Sequence, residues 1–318
     1  MVLTTAPVTA SAAGNRASGH RRSRLRGWEA RAGWLMAAPA IIGVVVFTLG
    51  PMIASLLISF TDWSIGLAPS FVGVQNYQRL FTEDPLFVKS LWVTLYFTLG
   101  SVPLILALGF GIALLLNADV RGKGFFRTIY YLPTLVPAVA NAVLWTWMFN
   151  PDFGLFNEVL KGVGLAPWKW TYGEGTVTPS LILMSAWGFG NVMVIFLAGL
   201  QGVPKHLYEA LAVDGGNQWH AFTRITLPMM SPTIFYCLVT VMIASFQTFY
   251  QAYVMTNGGP NNASTFFVYY LYDTAFRQSK MGYASALAWI LFVIIGAITL
   301  LLFRWARSWV YYETAGGR

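Results

Sequence analysis

Charge is scarce in this chain. Only 10% of its 318 residues are Asp, Glu, Lys or Arg, while 56% are hydrophobic. Soluble domains carry about a quarter charged residues, so a freely soluble monomer is excluded. The scarcity is also patterned, because six stretches hold no charge at all: 32–61, 90–118, 128–151, 175–204, 225–272 and 281–303. Each is long enough to cross a hydrocarbon core, which takes about 20 residues of helix. The sequence therefore predicts an integral membrane protein, all-α, with one polytopic domain of six transmembrane helices.

Other absences narrow the function. The single cysteine, Cys237, lies in an apolar run, so neither an intramolecular disulfide nor a cysteine metal cluster is possible. His20, His206 and His220 show no paired metal spacing and are assigned surface roles; no metal site is expected. No phosphate-cradling Gly-x-x-x-x-Gly-Lys-Ser/Thr loop occurs, so the chain does not bind nucleotide by that route. The apolar runs contain no Asp, Glu, Lys, Arg or His, so none of the charged groups that usually serve a proton relay or catalysis lies at membrane depth. Self-powered transport and enzymatic activity are both disfavoured, no catalytic residue is assigned, and energy has to come from a partner.

The net charge of +8 could suggest nucleic acid, but its distribution excludes that partner. Fourteen Lys and Arg, among them Arg21, Arg22, Arg24, Arg121, Lys123, Arg127, Arg304 and Arg307, fall on one side of a six-span topology, against six on the other. Basic residues stay cytoplasmic, which puts both termini on the cytoplasmic side of the cell membrane. The expected divisions are a basic disordered tail over 1–31, the membrane domain over 32–307 and a C-terminal tail over 308–318. The first run follows basic residues as a signal peptide would. It exceeds the usual h-region of about 7–15 residues and reads as a retained anchor.

The fifth run has 48 uncharged residues and is read as a single span, because Asn257, Gly258, Gly259, Pro260, Asn261 and Asn262 interrupt it with turn chemistry. The stretch from 263 to 280 then reads as an interfacial helix with Phe266, Phe267, Tyr269, Tyr270 and Tyr272 at headgroup level. Trp145 and Trp147 are likewise assigned to an interfacial belt.

Between the fourth and fifth runs, Pro204 suits the first turn of a helix covering 205–214. Gly215 and Gly216 end that helix, a second short helix covers 217–225, and Pro228 and Pro232 mark the return to the bilayer. Two short helices joined at a tight Gly turn would form a rigid knob over 204–228. Its pattern is Glu209-Ala210-Leu211, Gly215, then Ile225-Thr226-Leu227-Pro228, and it resembles the Glu-Ala-Ala loop of permeases from binding-protein-dependent ABC importers. Leu211 and Gly216 depart from the usual alanines.

Further segments resemble the carbohydrate-uptake branch, of maltose and oligosaccharide type. They are Phe71-Val72-Gly73 with Asn76-Tyr77, the Arg121–Arg127 stretch, Phe149-Asn150-Pro151, Asn257-Gly258-Gly259-Pro260 and Gly282-Tyr283-Ala284. The resemblance implies a maltose-type permease fold and the first of two permease subunits in a heterodimer. It also implies an ABC ATPase dimer that binds ATP and Mg²⁺, and an extracytoplasmic sugar-binding protein. This chain itself would hold no cofactor. Glu209, Ala210, Leu211, Asp214 and Gly215 would couple it to the ATPase.

A neutral polyol calls for hydrogen-bonding side chains and an aromatic face. The fourth run offers Trp187, Gly188 and Asn191, and the fifth offers Ser245, Gln247, Thr248, Tyr250 and Gln251. The resemblance places Trp187, Gly188, Asn191, Ser245 and Thr248 in the sugar pocket. Membrane helices also use such residues as interhelical glue, and it is their clustering on two adjacent spans that favours a site. The rival readings are glycerol-3-phosphate or another polyol as cargo, and, from a different class, a secondary carrier or membrane-embedded enzyme.

Overall fold

The computed structural model describes residues 17–118 and 121–311, with side chains from 31 onward. The outer parts of the two expected tails, 1–16 and 312–318, lie outside the described residues. Two compact units emerge, Met1–Leu57 and Ile58–Arg318.

In the first unit, α1 (Ala17–Val44) passes through a π-helical turn (Val45–Leu49) into α2 (Gly50–Ser59). Helix thus begins within the arginine-rich segment that the sequence reading assigned to a disordered tail. No side chain from 31 to 57 is buried, and Leu35, Ile42, Phe47 and Leu57 are exposed. Such a surface suits acyl chains or another helix rather than water.

The second unit continues with α3 (Gln75–Thr82), α4 (Pro85–Asn117), α5 (Lys123–Tyr131), α6 (Ala138–Met148) and α7 (Leu155–Gly162). Then come α8 (Glu174–Ala186), α9 (Gly190–Gln201), α10 (Lys205–Val213), α11 (Gln218–Ala221), α12 (Leu227–Phe246), α13 (Phe267–Tyr272) and α14 (Met281–Ala306). Among the described residues there are no strands, only isolated bridges such as Thr61 to Phe71.

Four helical stretches are long and apolar enough to cross a membrane, and two bent pairs bring the number to six. The third run is therefore not one straight span, since its halves meet at 97°. Proline is the cause: Val136 is held extended (φ −71, ψ 126) ahead of Pro137, whose ring disfavours helix in the preceding residue. The fourth run bends by 44° between α8 and α9.

Helix α4 is the central strut, packing against α8, α9 and α12. Gly109 permits the close crossing with α9, where a Cβ would lie 3.0 Å from Val192 and 3.3 Å from the Met193 amide. Asp84 caps the start of α4, one carboxylate oxygen accepting from the amides of Leu86 (3.0 Å) and Phe87 (3.2 Å). The other oxygen accepts from Tyr283 at 2.6 Å and from Tyr270. Burial, together with this carboxylate, pushes the Tyr270 hydroxyl above its ordinary range and keeps it a donor.

The 257–267 loop is bonded down on this same end. Lys89 donates to the Asn261 carbonyl, Thr178 donates to the Ala263 carbonyl at 2.9 Å, and the Phe267 amide donates to Thr94 at 2.9 Å. The aromatic stretch after it is not the lipid-facing belt that its composition suggests. Phe266, Phe267, Tyr269 and Tyr270 are buried within the protein, with Phe266 edge-on to Phe97 (5.0 Å) and Phe267 edge-on to Phe87 (5.9 Å). Only Tyr272 stays half-buried. Trp145 is buried as well, while Trp147 is exposed.

The quoted outer-loop motifs have structural duties. The Asn76 side-chain amide donates to the carbonyls of Ser59 and Thr61, both at 2.9 Å, and Tyr77 bonds the Ser59 hydroxyl at 2.7 Å. The Gly282 amide donates to the Trp63 carbonyl at 3.0 Å.

Candidate functional site

A cavity of about 520 Å³ opens among α4, α9 and α12. Gly188, Asn191, Ser245, Gln247, Thr248, Tyr250 and Gln251 all line it, so seven of the eight sequence-derived candidates come together. Trp187 does not line it; its ring meets the edge of Trp145 at 6.0 Å and is half exposed. The expected aromatic wall is supplied instead by Phe97, Tyr236 and Phe249, with Ser185 and Thr240 as further polar neighbours. None of these is named from the sequence, although Phe249 stands between Thr248 and Tyr250, which are.

Both lining spans are broken at the cavity. The fourth run changes direction over 187–189, and helix α12 ends at Phe246 with a π-helical stretch resuming at Gln251–Thr256. At these breaks the amides of Trp187, Gly188, Gln247 and Thr248 bond three residues back in place of the α-helical four. Interrupted helices at membrane depth are tolerated where backbone faces protein or a cavity. No lining residue is charged. Ser245 lies 3.4 Å from Ser101 on α4, so it has one packing partner. Gln251, 6% exposed, has a side-chain oxygen with no hydrogen-bond partner, which leaves an acceptor for a hydroxyl donor.

The second candidate region is the 204–228 segment. Pro204 is the N-cap rather than the first helical residue, and α10 starts at Lys205. Gly215 has φ +76, a left-handed conformation that glycine adopts without strain, and its amide closes on the Ala212 carbonyl at 3.1 Å. Gly216 is required too, because a Cβ there would meet the Leu211 side chain and carbonyl; its departure from alanine is matched by the leucine. The second helix is shorter than expected. Asn217 and His220 form a reciprocal capping box at the start of α11, which gives His220 a structural part. A π-helical turn (Phe222–Thr226) then runs directly into α12, with Pro228 in its first turn and Pro232 within it.

Glu209, Ala210, Asp214 and Gly215 are exposed and Leu211 is half-buried. Beside them Val213 and Trp219 are 88% and 67% exposed. Both are large apolar side chains on a short polar connection, and neither is singled out from the sequence.

Residues 101–310 match the family described as binding-protein-dependent transport system inner membrane component. The chain belongs to this family. YesP of Bacillus subtilis, described as a probable ABC transporter permease protein, is 40% identical over 95% of this chain and 98% of its own length. The trehalose/maltose transport system permease protein MalF of Thermococcus litoralis is 32% identical over 90% and 97%. Among solved structures, a bacterial alginate ABC transporter in complex with an alginate pentasaccharide-bound periplasmic protein contains a chain of the same fold. It superposes with a TM-score of 0.76 at 24% identity, covering 90% of this chain and 96% of that one. The family consists of membrane permeases rather than enzymes, and the family resemblance read from the loop motifs holds.

Proposed function

We propose that the chain is a permease subunit of an ABC importer that moves a sugar or oligosaccharide into the cytoplasm. The observation that carries this reading is the uncharged cavity of about 520 Å³, lined by amides, hydroxyls and aromatic rings at two helix breaks. Neutral polyols are held by such groups, and the relative named for trehalose and maltose supports the same class. A phosphorylated polyol would need a cation, and none lines the cavity.

On this reading the working assembly contains a second permease, an ATPase dimer that binds ATP and Mg²⁺, and an extracytoplasmic sugar-binding protein. The exposed knob around Glu209 and Gly215 docks on the ATPase, and both chain termini are cytoplasmic. Closure of the ATPases and docking of the loaded binding protein would bias one two-state equilibrium from opposite sides of the membrane.

Co-expression with the second permease and the ATPase tests the reading. The three should copurify and, in vesicles, hydrolyse ATP faster when sugar-loaded binding protein is added. Copurification without an ATPase, or transport that persists without ATP, would overturn it.

A further inference from the structure

A groove of about 770 Å³, larger than the candidate sugar cavity, lies on the outside of the bundle between α12 and the C-terminal half of α14. Its lining includes Phe235, Leu300, Leu301, Phe303, Arg304 and Arg307. On α14, positions 297, 300, 301, 304 and 307 follow the three-and-four spacing of one helix face. The face is apolar until its last turn and then carries two guanidinium groups. Its run from 297 to 307 is roughly 15 Å long at about 1.5 Å per residue.

The charge at the end of this face points to what covers it. Neither arginine forms an ion pair with an acidic residue among the described residues, where the ion pairs are Arg79 with Glu83, Lys161 with Glu158 and Arg277 with Asp273. Beside the groove, Trp309 packs its ring edge-on to Phe235 at 6.2 Å, yet its buried Nε1–H has no acceptor. The C-terminal strap that carries Trp309 is fixed, because the Tyr311 amide donates to the Ser231 hydroxyl at 2.9 Å. Arginine at a helix C-terminus also favours the helix dipole, but that does not account for the groove.

We propose that the groove holds an anionic phospholipid. One acyl chain lies along Leu300, Leu301 and Phe303, and the phosphate sits between Arg304 and Arg307. An apolar stripe that ends in two cations with no acidic partner among the described residues, on a membrane-spanning helix, has the polarity of such a lipid. A zwitterionic lipid would bring its own cation against the arginines.

The test uses the assembled transporter, exchanged into equal amounts of phosphatidylglycerol and phosphatidylcholine and examined by native mass spectrometry. The wild type should retain phosphatidylglycerol roughly tenfold or more over phosphatidylcholine, and the Arg304→Gln/Arg307→Gln variant should lose most of that preference. Leu301→Trp keeps both charges while filling the groove, and it should lower retention in its own right if the double variant assembles poorly. A photoreactive p-benzoylphenylalanine at position 301 should crosslink to lipid. No preference in the wild type, an unchanged preference in the double variant, or crosslinking of position 301 to the second permease would each overturn the proposal.

Discussion

The Tyr208 hydroxyl lies 3.0 Å from the Thr226 hydroxyl, which is in turn 3.2 Å from the Ala221 carbonyl. This chain of bonds ties α10 to the π-helical foot of α12, so a push on the knob is delivered to the span that lines the cavity. A neutral hydrogen bond contributes about 0.5–1.5 kcal/mol net. Tyr208→Phe should therefore leave folding and complex yield intact while reducing substrate-stimulated ATP hydrolysis severalfold. Stimulation at the wild-type level, measured in proteoliposomes, would separate this bond from coupling.

Gly215 carries a second prediction. Its positive φ disfavours any side chain, and its neighbours Val213 and Trp219 project outward. Gly215→Trp should insert into the membrane but abolish transport and stimulated ATP hydrolysis. Normal transport by this variant would remove the docking assignment.

Topology can be read with one thiol. Asn261 is exposed in the 257–267 loop, and the basic asymmetry predicts that this loop lies outside. A Cys237→Ser/Asn261→Cys protein should react with an impermeant maleimide in cells whose outer permeability barrier has been opened. Labelling only after lysis of the inner membrane would invert the orientation.

The cavity assignment makes a selectivity prediction. Asn191→Ala and Thr248→Ala should each lower transport severalfold and change preference among related sugars, with complex yield maintained, since each removes about one hydrogen bond. Interhelical glue predicts the reverse, and unchanged selectivity with reduced yield in both variants would remove these residues from the site.

Span number, family and most of the cavity were legible because each leaves a local mark: an uncharged run, a spaced motif, or a polar residue on an apolar span. Gly215 could be read because a left-handed turn needs a particular residue. The burial of Phe266, Phe267, Tyr269 and Tyr270 could not, since an aromatic facing lipid and one facing a neighbouring helix have the same composition in sequence. Trp187 failed for a related reason. The helix break at 187–189 aims its ring at Trp145, away from the cavity that Gly188 and Asn191 enter, and a bend of that kind depends on partners distant in sequence. Val213 and Trp219 are visible only as exposure, which a linear pattern does not record.

The carboxylate of Asp84 completes the first turn of α4 but takes its remaining bonds from tyrosines 186 and 199 positions later in the chain. During synthesis the central strut must therefore be made with the second oxygen of its cap unclaimed, and that oxygen is fully engaged only once the first turn of the final helix exists. A nascent chain stopped before Tyr283 would carry every helix that lines the cavity and keep the Tyr270 bond, but lack the second of the two hydroxyls that close on that carboxylate.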